Sequence, residues 1–212
     1  MEITWYGHSC FRITERGMAT VVTDPFDHNE VGYEALKLKA DIVTVSHDAP
    51  GHNHVAAVKG SSWQIGGPGE YEIGGVFLTG ITTGKSAKNG VENVVFTFDY
   101  NGVNVVHAGD LQSVPTRTEV EAFGTVDVLL VPVGGGGGLN AAKAAEVISL
   151  LEPGIVVPMH FKTPATTLKL NPINQFLKEM GLGARVEEQA SLKVSQGGIP
   201  EEPRVVLLAY QR

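Results

Sequence analysis

Short runs of β-branched and other apolar residues recur about eleven times along the chain, and each is bounded by Gly, Pro, Asn or Asp. Some runs alternate apolar with polar residues and others are apolar throughout, which is typical of sheets packed between another sheet and helices. We therefore predict a strand in each of the ranges 1–6, 11–15, 19–24, 41–46, 75–81, 93–100, 103–108, 126–133, 154–159, 191–195 and 204–210.

Helices are fewer, and turn-forming residues mark their ends. Asn140 is a candidate cap for a helix over 141–152, in which apolar residues share one face and which the Pro153-Gly154 pair terminates. Strands interleaved with helices predict an α/β or α+β fold rich in β structure. Similar end signals predict three further helices, over 172–180 with Pro172 at the first helical position, over 116–123 after Pro115, and over 52–59 before Gly60.

Composition and charge exclude several classes of protein. No linker-like segment divides the 212 residues, so we predict a single domain over 1–212. The net charge is −7 and the basic residues are scattered, so no nucleic-acid partner is expected. No apolar run approaches the ~18 residues of a membrane helix, and the single cysteine, Cys10, favours a reducing, cytoplasmic setting. Oligomeric state stays open, and a homo-oligomer is one outcome.

Strongly polar residues stand at the ends of several predicted strands. Ligand sites in α/β proteins collect outside the carboxyl ends of strands, so such side chains can converge although they span most of the sequence. Histidine and aspartate together are ligands for zinc and iron, and a metal-dependent hydrolytic site uses the ion to acidify a bound water. The residues concerned are His8, Asp24, His47, His107, Asp110 and His160.

Two glycine-rich segments do not match a nucleotide-binding motif. Gly134–Gly138 precedes a predicted helix but lacks the Gly-Lys-Ser/Thr of a phosphate loop, so we predict a flexible turn. Gly66–Gly69 departs from the dinucleotide fingerprint and is predicted to be the turn of a hairpin. Neither NAD nor ATP is therefore expected as a cofactor.

Six segments taken together resemble the metallo-β-lactamase superfamily. They read WYGHSCFRI, TDPF, VTVSH, HAGDL, VLLVPVGG and VPMHFKT, and they follow the expected order along nearly the whole chain. The chain most resembles the branch of short bacterial Zn-dependent hydrolase-like proteins and is similar also to ascorbate-6-phosphate lactonases. The resemblance implies a four-layer αββα sandwich, which in the family holds two metals at the sheet edge.

The central motif of that superfamily, His-x-His-x-Asp-His, is degraded here. The matching stretch runs from His47 to His52 and has Ala49 in place of the second histidine and Gly51 in place of the aspartate. A further histidine ligand of the family falls at position 84 or 85, which are a glycine and a lysine. The resemblance therefore implies a site for at most one metal.

Other ligands of the family are retained. Asp110 matches the bridging aspartate and His160 matches the last histidine, and with His52 they imply a three-ligand site that has an open position. His47, or the adjacent Asp48 or His54, is a candidate fourth ligand. We expect one zinc ion, with iron or manganese as alternatives, and we expect Asp110 and His160 to act in catalysis.

Four further residues are expected to contact the ligand residues and to hold them in place without binding the metal themselves. His107 would fix a ligand by a hydrogen bond, and Lys85 would place an ammonium group where the first of the family's two metals would carry its charge. The complete supporting set is His8, Asp24, His107 and Lys85.

Two functions remain open on these grounds. The first is a cytoplasmic metal-dependent hydrolase that acts on a small metabolite, such as a phosphorylated or lactone-containing compound. The second is a non-catalytic member of the fold that binds a small molecule or a protein partner through the same cleft. Metal analysis of the purified protein distinguishes the two.

Overall fold

A computed structural model describes residues 1–84, 92–183 and 186–211, and each predicted strand range contains at least one strand. The strands are β1 (Glu2–Gly7), β2 (Cys10–Thr14), β3 (Val21–Thr23), β4 (Leu38–Lys39), β5 (Ile42–Thr44), β6 (Val58–Lys59), β7 (Trp63–Ile65), β8 (Gly69–Ile73), β9 (Val76–Thr83), β10 (Asn93–Tyr100), β11 (Val103–His107), β12 (Val128–Pro132), β13 (Ile155–Met159), β14 (Glu188–Gln189), β15 (Leu192–Lys193), β16 (Arg204–Val205) and β17 (Leu207–Leu208). The helices are α1 (His28–Val31), α2 (Arg117–Phe123), α3 (Ala141–Leu151) and α4 (Ile173–Glu179).

The longer strands form two mixed sheets. The first has the order β15-β1-β2-β3-β5-β7, in which β3, β5 and β7 are parallel and the other neighbours are antiparallel. The second has the order β16-β13-β12-β11-β10-β9-β8, in which β11, β12, β13 and β16 are parallel. Parallel neighbours place their carboxyl ends at a common edge, so residues that follow these strands are brought close together.

The main core lies between the two sheets. Phe11 and Ile13 of the first sheet and Phe96 and Phe98 of the second are completely buried and belong to one hydrophobic cluster. Removing each such side chain from water stabilises the fold by about 1.5–3 kcal/mol. The same cluster includes the buried residues of α3, namely Ala141, Ala144, Val147 and Ile148, so this helix covers the second sheet.

A smaller core covers the other face of the first sheet. Val22 and Val43 point to this face and pack in a cluster with Phe26, Val31 of α1 and Tyr33. The order of layers is therefore helix, sheet, sheet and an outer layer made of α1 with its neighbouring loops. This arrangement confirms the predicted αββα sandwich, although the helical layer on the first sheet is short.

Three of the predicted helices are present and keep their predicted end signals. The side chain of Asn140 accepts a hydrogen bond from the backbone N of Lys143 at 3.0 Å, which caps α3 as expected. Thr116 caps α2 and forms a capping box with Glu119. Pro172 is extended, with ψ of 151°, so α4 begins one residue later than predicted. No helix in the described ranges is both long and apolar enough to cross a membrane.

The predicted helix over 52–59 is wrong. This segment forms a 3₁₀ turn at Val55–Ala57 and then strand β6, which pairs in parallel with β4. Val58 is buried in the smaller core. Asparagine and β-branched residues are weak helix formers, and the pairing with β4 supplies the backbone partners that a helix would otherwise provide.

The predicted hairpin at Gly66–Gly69 is also wrong. Strand β7 pairs with β5 in the first sheet, whereas β8 pairs with β9 in the second, so this turn carries the chain from one sheet to the other. A Cβ at Gly80 would lie 2.5 Å from the carbonyl oxygen of Gly67, which shows how closely the turn packs on β9. Local sequence specifies a turn, but only the strand partners decide whether it closes a hairpin.

Candidate metal centre

Five strand ends bring polar side chains to one edge of the sandwich. These strands are β1, β3, β5, β11 and β13, and most of the polar residues that follow them surround a cavity of about 250 Å³. Glu30, Val31 and Leu168 also line this cavity. The predicted site residues that line this cavity are His8, His47, His52, Asp110 and His160.

Asp24 lies completely buried at the end of β3 and holds His52 in place. Its carboxylate accepts hydrogen bonds from the backbone N of Ser46 at 2.7 Å and from the Ser46 hydroxyl at 2.6 Å. Nδ1 of His52 lies 2.7 Å from Oδ2 of the same carboxylate. A carboxylate at one ring nitrogen fixes the tautomer of a histidine, so Nε2 of His52 is left as the nitrogen that carries the lone pair.

His8 is held against two other histidines. Its carbonyl oxygen accepts hydrogen bonds from the Trp5 indole and from the backbone N of His160, both at 3.1 Å. Its Nε2 lies 3.1 Å from Nε2 of His52, and its buried Nδ1 has no hydrogen-bond partner. The sequence indicated a supporting residue here, and the structure places His8 directly on the cavity.

Backbone strain concentrates at this edge of the sandwich. His8, Asp24 and His160 have φ of 49°, 39° and 51°, in the left-handed region that residues other than glycine rarely adopt. Each such residue costs roughly 1–3 kcal/mol, and such strain clusters at functional sites. The fold therefore gives up stability to direct these three side chains to one place.

Asp110 follows β11 and faces His160. Its Oδ1 lies 3.1 Å from Nδ1 of His160, at an angle that leaves both atoms without a hydrogen-bond partner. The backbone N of Asp110 donates to Oδ1 of Asn93 at 2.9 Å, which fixes the turn that carries the carboxylate. Asp110 is thus held through its backbone while its carboxylate stays open to the cavity.

The glycine run Gly134–Gly138 packs tightly against this site. A Cβ at Gly138 would lie 2.5 Å from Oδ1 of Asp110, and one at Gly134 would lie 2.3 Å from the carbonyl oxygen of His160. The predicted flexible turn is therefore a close approach of backbone to two site residues, which only glycine permits.

Burial and neighbouring charges shift the pKa values of the cavity residues. Burial lowers the pKa of His8 well below its ordinary value, and the nearby His160, His52 and His47 lower it further. Burial also lowers the pKa of His47. For Asp110, burial raises the pKa, but the contact with His160 and the charges of the histidines outweigh it and hold this pKa below its ordinary value. These shifts favour the neutral imidazole at His8 and His47 and the ionised carboxylate at Asp110, which are the forms that bind a metal.

The donor atoms of the cavity form two groups that share one histidine. His8, His52 and His160 form the first group, and His47, His52 and Asp110 form the second. Within each group the donor atoms lie within 4.8 Å of one another. The four predicted ligands therefore divide between two overlapping groups, and His8 joins one of them.

The prediction for His107 is not met, and the prediction for Lys85 falls outside the described residues. Nε2 of His107 lies 2.9 Å from the carbonyl oxygen of Ser9 and its Nδ1 has no partner, so it contacts the backbone beside His8 and fixes no ligand side chain. Lys85 lies outside the described residues, whereas Gly84, the other candidate for the missing ligand position, ends the first described range.

Sequence reasoning missed two residues that position the site. Ser46 gives two hydrogen bonds to Asp24, and Asn93 holds Asp110 while its own side-chain amide donates to Thr83 and to the carbonyl of Ala108. Asn93 is a buried amide at the start of an otherwise apolar strand, and that contrast was the available signal.

Comparison with known proteins identifies the fold family. A family model described as beta-lactamase superfamily domain matches residues 2–160, which is most of the chain. The chain belongs to the metallo-β-lactamase superfamily. A candidate Zn-dependent hydrolase of this superfamily from Thermotoga maritima has 38% sequence identity and a TM-score of 0.79, over 98% of this chain and 97% of that one.

Relatives of this superfamily member include proteins named as metal-dependent hydrolases. A UPF0173 protein of Pyrococcus furiosus is 29% identical over 191 residues, which cover 77% of this chain and 84% of the relative. A UPF0173 metal-dependent hydrolase of Thermococcus kodakarensis is 26% identical over 193 residues, with 77% and 85% covered. The chain is thus a metallo-β-lactamase-fold member of a metal-dependent hydrolase family.

Proposed function

We propose that this protein hydrolyses a small metabolite with the help of one metal ion bound beside His52. The observation that supports a single ion is the sharing of His52 by both donor groups. Since Asp24 occupies Nδ1 of His52, only Nε2 is left, and one ring nitrogen coordinates one ion. The two groups therefore compete for the same nitrogen.

The residues of the cavity fit a metal. Nδ1 of His8, Nδ1 of His160 and Oδ1 of Asp110 are all buried without a hydrogen-bond partner, and buried polar atoms are normally paired. Imidazole and carboxylate donors suit zinc, and also iron or manganese. The candidate ligands are the members of the two donor groups, which include the four residues predicted from the sequence, His47, His52, Asp110 and His160, together with His8. The donor chemistry favours zinc.

The chain's own groups can carry the proton transfer of hydrolysis. When bound, the ion supplies Lewis-acid polarisation and lowers the pKa of water. Asp110 keeps an ionised carboxylate at the cavity, where it can accept a proton from an attacking water. It would thereby serve in place of the motif aspartate, whose position is Gly51. Nδ1 of His160 lies 3.1 Å from Oδ1 of this carboxylate, so His160 stands next to the group that would accept the proton.

The cavity favours a small substrate. Its volume of about 250 Å³ lies below the ~300–1,000 Å³ of drug-sized ligand pockets. Among the described residues that line it, Glu30 and Asp110 are acidic and none is a lysine or arginine. A phosphorylated substrate would therefore depend on the bound ion to contact its phosphate, whereas an uncharged lactone, ester or amide needs no cationic side chain in this lining.

Metal content and hydrolysis test the proposal together. Protein purified without chelator should contain about one metal ion per chain and should hydrolyse members of a panel of small lactones and esters. His52→Ala should lose both the metal and the activity, because both donor groups need His52. His54→Ala, a nearby histidine outside both groups, is the matched control and should keep both.

Folded wild-type protein that binds no zinc, iron or manganese would refute the proposal and would support the non-catalytic alternative. Bound metal without hydrolysis of any lactone, ester or amide would refute the catalytic part alone. Circular dichroism of His52→Ala separates loss of the site from loss of the fold.

A further inference from the structure

Gly51, at the position of the motif aspartate, packs against the imidazole of His8. A Cβ added at Gly51 would lie 2.9 Å from Nε2 and 3.3 Å from Cδ2 of His8. The backbone of Gly51 is outside the left-handed region, so its φ does not require glycine. The imidazole of His8 therefore fills the volume that a side chain at position 51 would need.

The position of His8 is fixed by the end of β1. Gly7, with φ of 108°, turns the chain against the ring of Tyr33, where an added Cβ would lie 2.5 Å from the ring. The carbonyl of His8 then accepts hydrogen bonds from Trp5 and His160. These contacts hold the imidazole in the cavity before any ligand arrives, and such preorganisation reduces the cost of binding.

The spacing of the histidine nitrogens fits metal coordination. Nε2 of His8 lies 3.1 Å from Nε2 of His52. Two nitrogens on a tetrahedral ion with bonds of ~2.0–2.1 Å lie ~3.3 Å apart, so little movement is needed. A carboxylate lies near Nδ1 of each of the other two histidines: Asp24 is hydrogen-bonded to His52 at 2.7 Å, and Asp110 is 3.1 Å from His160 without a hydrogen bond. Metal-binding histidines commonly have such a carboxylate at the second nitrogen.

We propose that His8 is itself a metal ligand and that, with His52 and His160, it replaces the ligands lost from the superfamily motif. This inference rests on the proposed function, because it requires that the cavity binds an ion. His47 then lies outside the ligand set. Asp110 supports His160 and keeps one oxygen free to accept a proton.

X-ray absorption of the zinc-loaded wild-type protein counts the ligands directly. We expect three imidazole nitrogens on the ion, as His8, His52 and His160 would supply. Two imidazoles with a carboxylate oxygen would match the group of His47, His52 and Asp110 and would overturn the inference. Wild-type protein that takes up no zinc refutes the proposed function itself, so the two failures are distinguishable.

Variants test the assignment through zinc affinity, measured in competition with a chromophoric chelator. His8→Ala should raise the Kd for zinc more than 100-fold, beyond the ~10–100-fold that loss of a supporting residue costs. His47→Ala, from the other group, is the matched control and should raise it less than ~10-fold. A smaller effect of His8→Ala, or an equal effect of the two variants, would overturn the inference.

A reciprocal exchange makes the test sharper. Gly51→Asp alone should weaken zinc binding, because its side chain collides with His8. His8→Ala combined with Gly51→Asp should regain at least ~10-fold of the affinity lost in His8→Ala, since the aspartate enters the space that the imidazole leaves. If zinc affinity does not recover in a folded double variant, side chains at positions 8 and 51 do not supply a ligand at the same place on the ion. If His8→Ala does not fold, X-ray absorption of zinc-loaded His47→Ala decides: the imidazole count stays at three if His8 is a ligand and falls to two if His47 is one.

Discussion

The substitution Asp24→Asn tests how strongly one buried carboxylate holds the site together. Asp24 accepts from three donors of Ser46 and His52 at 2.6–2.7 Å, and asparagine has one acceptor oxygen where aspartate has two. A hydrogen bond to a charged group contributes about 1.5–3 kcal/mol. Loss of two of the three should therefore lower the free energy of unfolding by about 3–6 kcal/mol. Asparagine tolerates the left-handed backbone at this position, so the change acts on the hydrogen bonds.

Urea unfolding of chelator-treated protein near neutral pH measures this loss. The matched control is Asp99→Asn, because Asp99 is exposed and accepts a single bond from the backbone N of Gly102, at 2.7 Å. The control should lose less than about 1 kcal/mol. Ser46→Ala should lower the free energy of unfolding much less in the Asp24→Asn background than in the wild-type protein, because the carboxylate to which Ser46 donates is already changed. If the free energies of unfolding of Asp24→Asn and Asp99→Asn differ by less than about 1 kcal/mol, the reasoning about the hydrogen bonds of Asp24 is refuted.

Two further predictions concern the pH dependence of stability and the glycine run. Burial holds the pKa of His107 below its ordinary value, so below about pH 6.5 the unfolded chain binds a proton that the folded chain does not. The free energy of unfolding of the metal-free protein should therefore decrease as the pH falls from about 7.5 to 5.5, and this decrease should be smaller in His107→Gln. Urea unfolding at several pH values measures it, and an equal decrease in wild type and His107→Gln would contradict the prediction. Gly138→Ala places a methyl group 2.5 Å from Oδ1 of Asp110 and should lower kcat at least ~10-fold. Gly197→Ala, whose methyl group meets nothing within 4 Å, is the control and should leave kcat unchanged. Equal kcat values for the two variants would disprove the close approach of Gly138 to Asp110.

Local sequence was sufficient for most of the secondary structure. Alternating and continuous apolar runs predicted the strands because side-chain period and burial are properties of the segment itself. The cap at Asn140 was predictable for the same reason, since it needs only the backbone N of Lys143, three residues away. The order of the superfamily motifs, together with these elements, predicted the αββα sandwich.

Partners distant in sequence decided the elements that sequence reasoning misassigned. Residues 52–59 form a turn and a strand because β4 is beside them, and the turn at Gly66–Gly69 crosses between sheets because β5 and β9 each recruit a different strand. A short segment carries no information on which neighbour satisfies its backbone, so propensity alone cannot settle these cases.

In the site, too, some features follow from the sequence and others from contacts between distant segments. The sequence by itself determined which residue types were available, namely histidines and aspartates at strand ends, and that Ala49 and Gly51 break the motif. Only the tertiary structure decided that the imidazole of His8, 43 residues before Gly51 in the sequence, lies against that glycine and next to His52. The physical reason is that these contacts depend on the order of strands in the sheet and on a strained turn after β1, and neither is a property of any local segment.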